Sequence, residues 1–333
     1  MSEFVKGLPK AELHMHVEGS LEPGLMLELS RRNDVPLHYT SIAEVETAFD
    51  FQNLQSFLDV YYEAAQTLRT RQDFFDLTAA YLERAAADGV VRTEIFFDPQ
   101  THTERGVPIG EVIDGIADAL DAANESLGIS TGLILCFLRH LPAAQAMTTL
   151  ESALPYRGRL LGVGLDSSEV GHPPGQFAEV FDAARAEGLR VTAHAGEEGP
   201  PEYVWEALDV LGVERIDHGN RALEDDALVR RLVAEQVPLT VCPFSNVKLR
   251  SVDRLEDHPL RTMLDLGLNV SINSDDPSYF GGYIADNYAG IQDVLGMSDE
   301  EMVGIARNSL NATFLPPEEK ESLIARLEMF VGT

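Results

Sequence analysis

Eight short runs of apolar, β-branched and aromatic residues recur along the 333 residues: Ala11–His16, Val91–Phe97, Gly132–Leu138, Leu160–Asp166, Arg190–His194, Arg215–His218, Pro238–Cys242 and Asn269–Asn273. Helical periodicity separates most of them, as in Ile109–Leu127, Phe177–Gly188, Tyr203–Leu211 and Leu223–Glu235. Strands in such βαβ repeats are parallel and covered on both faces, which suits their nearly continuous apolar character. The pattern predicts an α/β chain folded as a (β/α)8 TIM barrel, with an open doubly wound sheet as the alternative.

The barrel is favoured by where the polar residues fall. His14-Met15-His16, His194, His218 and Asp275-Asp276 all lie at or just past the C-terminal ends of their runs, the face on which barrels carry their sites. Between the first and second runs lie about 70 residues, far more than an ordinary βα loop. They look helical over Pro23–Asn33, Leu54–Thr67 and Asp73–Asp88. We expect a helical cap, residues 20–90 or so, over the mouth of a single domain spanning residues 1–333.

Composition narrows the function classes. A hydrophobic fraction of 44% supports a sizeable core, and a net charge of −30, from 55 acidic against 25 basic residues, repels a phosphate backbone and excludes nucleic acid as a partner. Cys136 and Cys242 both sit inside apolar runs, which excludes a disulfide framework and a cysteine-built metal site. The start, MSEFVKGLPKAELHMH, has no basic stretch followed by an apolar core, and no later run is long enough to span a bilayer. The expectation is a cytoplasmic protein with no membrane partner. No interface pattern indicates an oligomeric state.

A strand alternates its faces, so His14 and His16 point the same way and can hold one ion between them. Imidazole and carboxylate are the ligands of zinc and its neighbours. A metal in a cleft makes hydroxide from water near neutral pH, so the residues point first to a hydrolase. His16 leads into Val17-Glu18-Gly19-Ser20, whose small residues suit a tight turn. His194 ends a strand-like stretch; alone it is equally a core histidine. Glu197, three residues on, is placed to fold back beside a metal as general acid or base, or to sit at a helix N-terminus, since Pro200-Pro201 follow. His218 ends Ile216-Asp217-His218-Gly219, and Asp275-Asp276 precede Pro277, which is a common turn by itself. Beside three histidines, one of these aspartates completes a metal shell while the other faces a ligand.

The fourth run ends Gly164-Leu165-Asp166-Ser167-Ser168, without the lysine that bridges two metals in binuclear barrel hydrolases, so one metal is expected. There is no H-x-E with P-C-x-x-C signature, no G-x-S-x-G elbow and no Walker loop.

The segments PKAELHMHVEGSLEP, HAGE at His194–Glu197, DHG at Asp217–Gly219 and SDDP at Ser274–Pro277 resemble the metal-dependent adenosine/adenine deaminase family of the amidohydrolase superfamily. The resemblance covers essentially the whole chain. It is strongest to the adenine deaminase branch, through Phe96–Gly106, Leu165–Pro174, Cys242–Leu249 and Asn273–Tyr283. It implies one zinc ion per chain, held by His14, His16, His194 and Asp275 with a further position open to water. It also implies Glu197 as proton donor to purine N1, His218 as the residue that orients and deprotonates the attacking water, and Asp276 as the contact to purine N7. The implied reaction is hydrolytic deamination of adenine to hypoxanthine and ammonia, a step of purine salvage. Glu197 must then be protonated near neutrality, which burial under the cap favours.

Glu18 departs from the adenosine-specific members, which usually carry an aspartate there against the ribose. Its extra methylene is expected to fill the sugar space and accept a hydrogen bond from a free base's ring N–H. Deamination of N6-substituted adenines, of the cytokinin type, is an alternative if Phe49, Phe51, Phe57 and Tyr61 line an apolar pocket; adenosine is another. A phosphorylated substrate would need more basic residues than Lys248 and Arg250. A purine- or metal-binding protein without catalysis would show a broken catalytic pair, yet Glu197 and His218 both stand.

Overall fold

The structure is a computed structural model that describes residues 3–51 and 54–332. Residues 1, 2, 52, 53 and 333, which the expected single domain and its insertion take in, lie outside the described residues. The eight strands are β1 (Lys10–Glu12), β2 (Val90–Phe97), β3 (Ser130–Leu138), β4 (Gly162–Asp166), β5 (Arg190–Ala195), β6 (Arg215–His218), β7 (Pro238–Val241) and β8 (Asn269–Ile272). They lie side by side in chain order, every pair parallel, with helices between them: a (β/α)8 barrel.

The first strand is shorter than the apolar run Ala11–His16 suggested. Regular pairing stops at Glu12, and the Leu13 N–H donates to the Asn273 side chain at 2.8 Å instead of to a strand carbonyl. The chain then threads between β2 and the end of β8. His16 N–H donates to the Asp275 carbonyl (2.9 Å), Asp275 N–H to the His14 carbonyl (3.0 Å) and Phe96 N–H to the Met15 carbonyl (2.9 Å). These contacts close the barrel and hold His14 and His16 in its mouth.

Inside the opposite end of the barrel, fully buried Glu94 is gripped by Arg215 at 2.7 Å and Arg92 at 2.9 Å, with the Phe314 ring stacked on the Arg215 guanidinium. Pairing makes this charge tolerable away from water.

Four helices lie between β1 and β2: Pro23–Arg32, Ile42–Ala48, Leu54–Ala65 and Arg71–Ala87. The last starts at a Thr70–Asp73 capping box and packs on Ile109–Ser126, so closely that a Cβ on Gly115 would sit 2.4 Å from the Arg71 carbonyl oxygen. It belongs with the outer helices, whereas Leu54–Ala65 reaches the mouth. No helix among the described residues is long and apolar enough to cross a membrane.

Candidate active site

The cavity at the C-terminal mouth is lined by His16, Asp98, Asp166, His194, Glu197, His218, Asp275 and Asp276, with Phe57, Leu58, Tyr61 and Tyr62 of the Leu54–Ala65 helix on one wall. Phe57 and Tyr61 are thus at the cavity. Phe49 and Phe51, expected with them, pack on the Tyr279 ring with centroids 4.5 and 6.4 Å away and do not line it.

Four side chains converge at the base of the cavity. His14 Nδ1 lies 3.1 Å from the Thr240 carbonyl and 3.0 Å from its hydroxyl. The carbonyl can only accept, so Nδ1 carries the proton and Nε2 presents a lone pair. That Nε2 is buried with no hydrogen-bond partner and lies 3.2 Å from Asp275 Oδ1. His16 Nε2 is 3.2 Å from His194 Nε2 and 3.5 Å from Asp275 Oδ1. Unprotonated nitrogens do not face each other at such distances without a cation or proton between them. Three imidazoles and a carboxylate fit zinc and its neighbours.

Donor atoms of His14, His194, His218 and Asp275 also lie within 4.8 Å of one another. His218 Nε2, however, stands 3.8 Å from Asp275 and 3.5 Å from Glu197 Oε2. His16 is the closer fourth member, and His218 lies to one side between Asp275 and Glu197. Burial, and then the nearby His14, depress the His218 pKa to about 3, so its ring is neutral.

Asp217 organises this group from behind. In the ladder β5–β6–β7, His194 pairs with Asp217 and Asp217 with Thr240. Asp217 accepts from the Thr192 hydroxyl at 2.7 Å and the Thr240 hydroxyl at 2.9 Å, and faces His194 Nδ1 at 3.7 Å. A buried carboxylate behind metal-type histidines fixes their tautomer and orientation. Backbone strain gathers at the same place: His218 (φ 66°), Asp275 (φ 64°) and Ser167 (φ 73°) all adopt left-handed conformations that cost about 1–2 kcal/mol each.

Glu197 follows β5 in a turn that a neighbouring loop holds in place. The buried Glu169 carboxylate accepts four backbone N–H bonds: from Gly196 at 2.6 Å, Glu197 at 3.0 Å, Glu198 at 2.8 Å and Gly199 at 2.7 Å. The turn leaves Glu197 Oε1 buried without a partner. Burial, and then the negative charge of Asp275, push the Glu197 carboxyl well above the usual carboxylate range. Asp276 is raised by the same two causes in the same order. Asp276 fits only because residue 19 is glycine: a Cβ there would lie 1.9 Å from Asp276 Oδ1 and 2.6 Å from its Cβ.

Glu18, expected at the substrate, does not line the cavity. It lies behind Asp98, and its Oε1 accepts from His102 Nε2 at 2.7 Å and from the Asp98 N–H at 3.1 Å. Arg105 donates to His102 Nδ1 at 2.6 Å, so the proton sits on Nε2 and points at Glu18. Asp98, Asp166, Glu169, Asp217 and His102 went unassigned in the sequence. Asp98 and Asp166 could have been found there, since each follows or ends a strand-like run, as the assigned residues do.

A model of the adenosine deaminase family matches residues 9–329. The chain is similar to an adenine deaminase from Caulobacter vibrioides, 56% identical over 331 residues, covering 99% of this chain and 96% of that one. Among solved structures it is similar to an adenine deaminase from Arthrobacter aurescens, at 51% identity and a TM-score of 0.96, covering 98% of this chain and all of the other. It is also similar to an amidohydrolase from Burkholderia ambifaria with bound zinc, at 26% identity and a TM-score of 0.90, covering 99% and 93%.

Proposed function

The chain belongs to the adenosine deaminase family, and we propose that it is an adenine deaminase, converting adenine and water to hypoxanthine and ammonia. The observation that carries this reading is the convergence at the barrel-mouth cavity of a histidine–aspartate donor group, a carboxyl raised by burial (Glu197) and a second such carboxyl (Asp276). The names of relatives more than half identical over nearly the whole chain support the substrate. A cytoplasmic role in salvage of free purine is part of the same proposal and follows from the expected reaction.

His14, His16, His194 and Asp275 would hold one zinc ion, which supplies Lewis-acid activation of water when bound. The remaining work falls to the protein. Glu197, protonated by virtue of its burial, gives its proton to purine N1 and makes C6 more electrophilic. His218, neutral and within 3.5 Å of Glu197, accepts the proton of the attacking water as the C6–O bond forms. Asp276 holds N7 and so fixes the ring plane. The C6–N bond then breaks as the proton held by His218 passes to the amine, which leaves as ammonia, and the C6 hydroxyl proton returns to Glu197 as the carbonyl forms. The Leu54–Ala65 helix supplies an apolar wall against which the purine ring can lie.

Phe57, Leu58, Tyr61 and Tyr62 on one wall keep an N6-alkyl adenine as the second reading. Ammonia or alkylamine release from adenine, adenosine, AMP and an N6-alkyl adenine, assayed side by side with zinc-loaded protein, tests both. The expected order puts adenine first in kcat/KM by about 10²-fold or more. A higher value for adenosine or AMP would overturn the assignment, and a higher one for the alkylated base would favour the second reading.

A further inference from the structure

The cavity contains acceptors that the chemistry at C6 leaves unused. Asp98, just past β2, and Asp166, the last residue of β4, are 4% and 2% exposed and both line the cavity. Asp98 Oδ1 and both oxygens of Asp166 receive no hydrogen bond from another residue; the two buried carboxyls hydrogen-bond only to each other, with His16 Nδ1 3.5 Å from Asp166 Oδ2. Asp98 Oδ2 receives only a long contact from the Tyr61 hydroxyl, 3.5 Å away. Such groups cost free energy unless something that enters the cavity satisfies them, and a carboxylate is satisfied by a donor.

Their position says which part of a ligand they meet. His16 joins two groups of side chains: Nε2 faces His194 and Asp275, while Nδ1 lies 3.5 Å from Asp166 Oδ2. Polar atoms of His16, Asp98 and Asp166 fall within 4.8 Å of one another. The acid pair is therefore separated from the donor group by about the width of one imidazole ring. A small planar ligand with its reacting carbon at the donor group presents its opposite edge to the pair. In adenine that edge belongs to the five-membered ring, which carries the molecule's only ring N–H. In a nucleoside the same nitrogen bears the sugar carbon and donates nothing.

We infer that Asp98, supported by Asp166, is the specificity-determining residue that accepts the purine N9–H and so selects the free base over its nucleoside. This rests on the deaminase reading above. It moves the role expected of Glu18 by one layer: the Glu18 carboxylate receives the Asp98 N–H and the His102 imidazole and so fixes Asp98 from behind. Asp166, which faces His16 Nδ1, holds that ring as well as closing the pocket. A nucleoside in this pocket leaves a buried carboxylate against carbon, a mismatch that costs far more than a missing methylene.

The test compares adenine with 9-methyladenine, which lacks the N–H but adds little bulk. Zinc-loaded wild type and Asp98→Asn are assayed for kcat/KM, and both ligands are titrated calorimetrically. Zinc content and thermal unfolding certify the variant. We expect the wild type to prefer adenine strongly, and Asp98→Asn to cut that preference by at least about 30-fold, the scale of one hydrogen bond to a buried charge. Wild type that binds 9-methyladenine as tightly as adenine overturns the inference without any variant, as does an Asp98→Asn enzyme with its preference within about threefold of wild type. If wild type binds adenine in preference to 9-methyladenine and Asp98→Asn loses that preference, but neither releases ammonia, the deaminase reading falls while the selection by Asp98 stands.

Discussion

Glu169 holds no place at the cavity wall, yet four backbone N–H groups of the Glu197 turn end on its two oxygens. Hydrogen bonds to a charged acceptor are each worth about 1.5–3 kcal/mol, so a single side chain determines where Glu197 points. Glu169→Gln keeps the size but puts an amide's hydrogens against these N–H groups. A misplacement of about 1 Å at a catalytic group costs on the order of 10² in rate. We therefore expect kcat to fall about 10²-fold with zinc content intact and KM changed little. Steady-state kinetics paired with metal analysis checks this, and an unchanged kcat would show that the turn holds itself.

At the scale of elements, the parallel ladder of β5, β6 and β7 sets His194, Asp217 and Thr240 in one row, and Thr240 in turn orients His14. The geometry of the candidate donor group is thus a consequence of strand register. Asp217→Asn should leave the barrel folded but weaken zinc binding about 10–100-fold, measurable by competition with a chromophoric chelator. Unaltered affinity would mean that Thr240 alone orients the histidines. The strands that carry these residues were legible as apolar runs ended by polar residues, and so was the site at their C-terminal ends. Glu169 was not, because a carboxylate in a turn looks the same in sequence whether it meets solvent or a buried row of donors, and Asp217 was not, because its place behind the histidines depends on the pairing of β6 with β5 and β7. The early end of β1 was also hidden, since it depends on Asn273, which is 260 residues away from Leu13 in the chain. The surroundings of Glu18 were hidden for a related reason: its partner His102 lies on the far side of the insertion.

The whole molecule places its site where strand ends, loops and an inserted helix meet, and its stability carries the pH dependence of groups buried there. His258 donates through Nε2 to Asn246 Oδ1 (3.1 Å) and accepts the Leu260 N–H at Nδ1 (3.2 Å), so a second proton would break the latter bond. Burial lowers its pKa from 6.5 to about 4. Between these values the unfolded chain binds the proton and the folded chain does not, so stability rises with pH over this window and is lost as pH falls. The loss reaches about 3 kcal/mol at most, at about 1.4 kcal/mol per pH unit. Urea unfolding of wild type and His258→Gln between pH 4 and 7 should show a shallower slope in the variant; equal slopes would remove His258 from the account.

Deamination of adenine by this barrel with Glu197 as the acid is decided by one assay: ammonia and hypoxanthine released from adenine by zinc-loaded wild type and by Glu197→Gln at equal zinc occupancy. We expect equimolar products from the wild type and a kcat lower by about 10²–10⁴-fold in the variant. No ammonia from the wild type, or equal turnover by the two proteins, would contradict it.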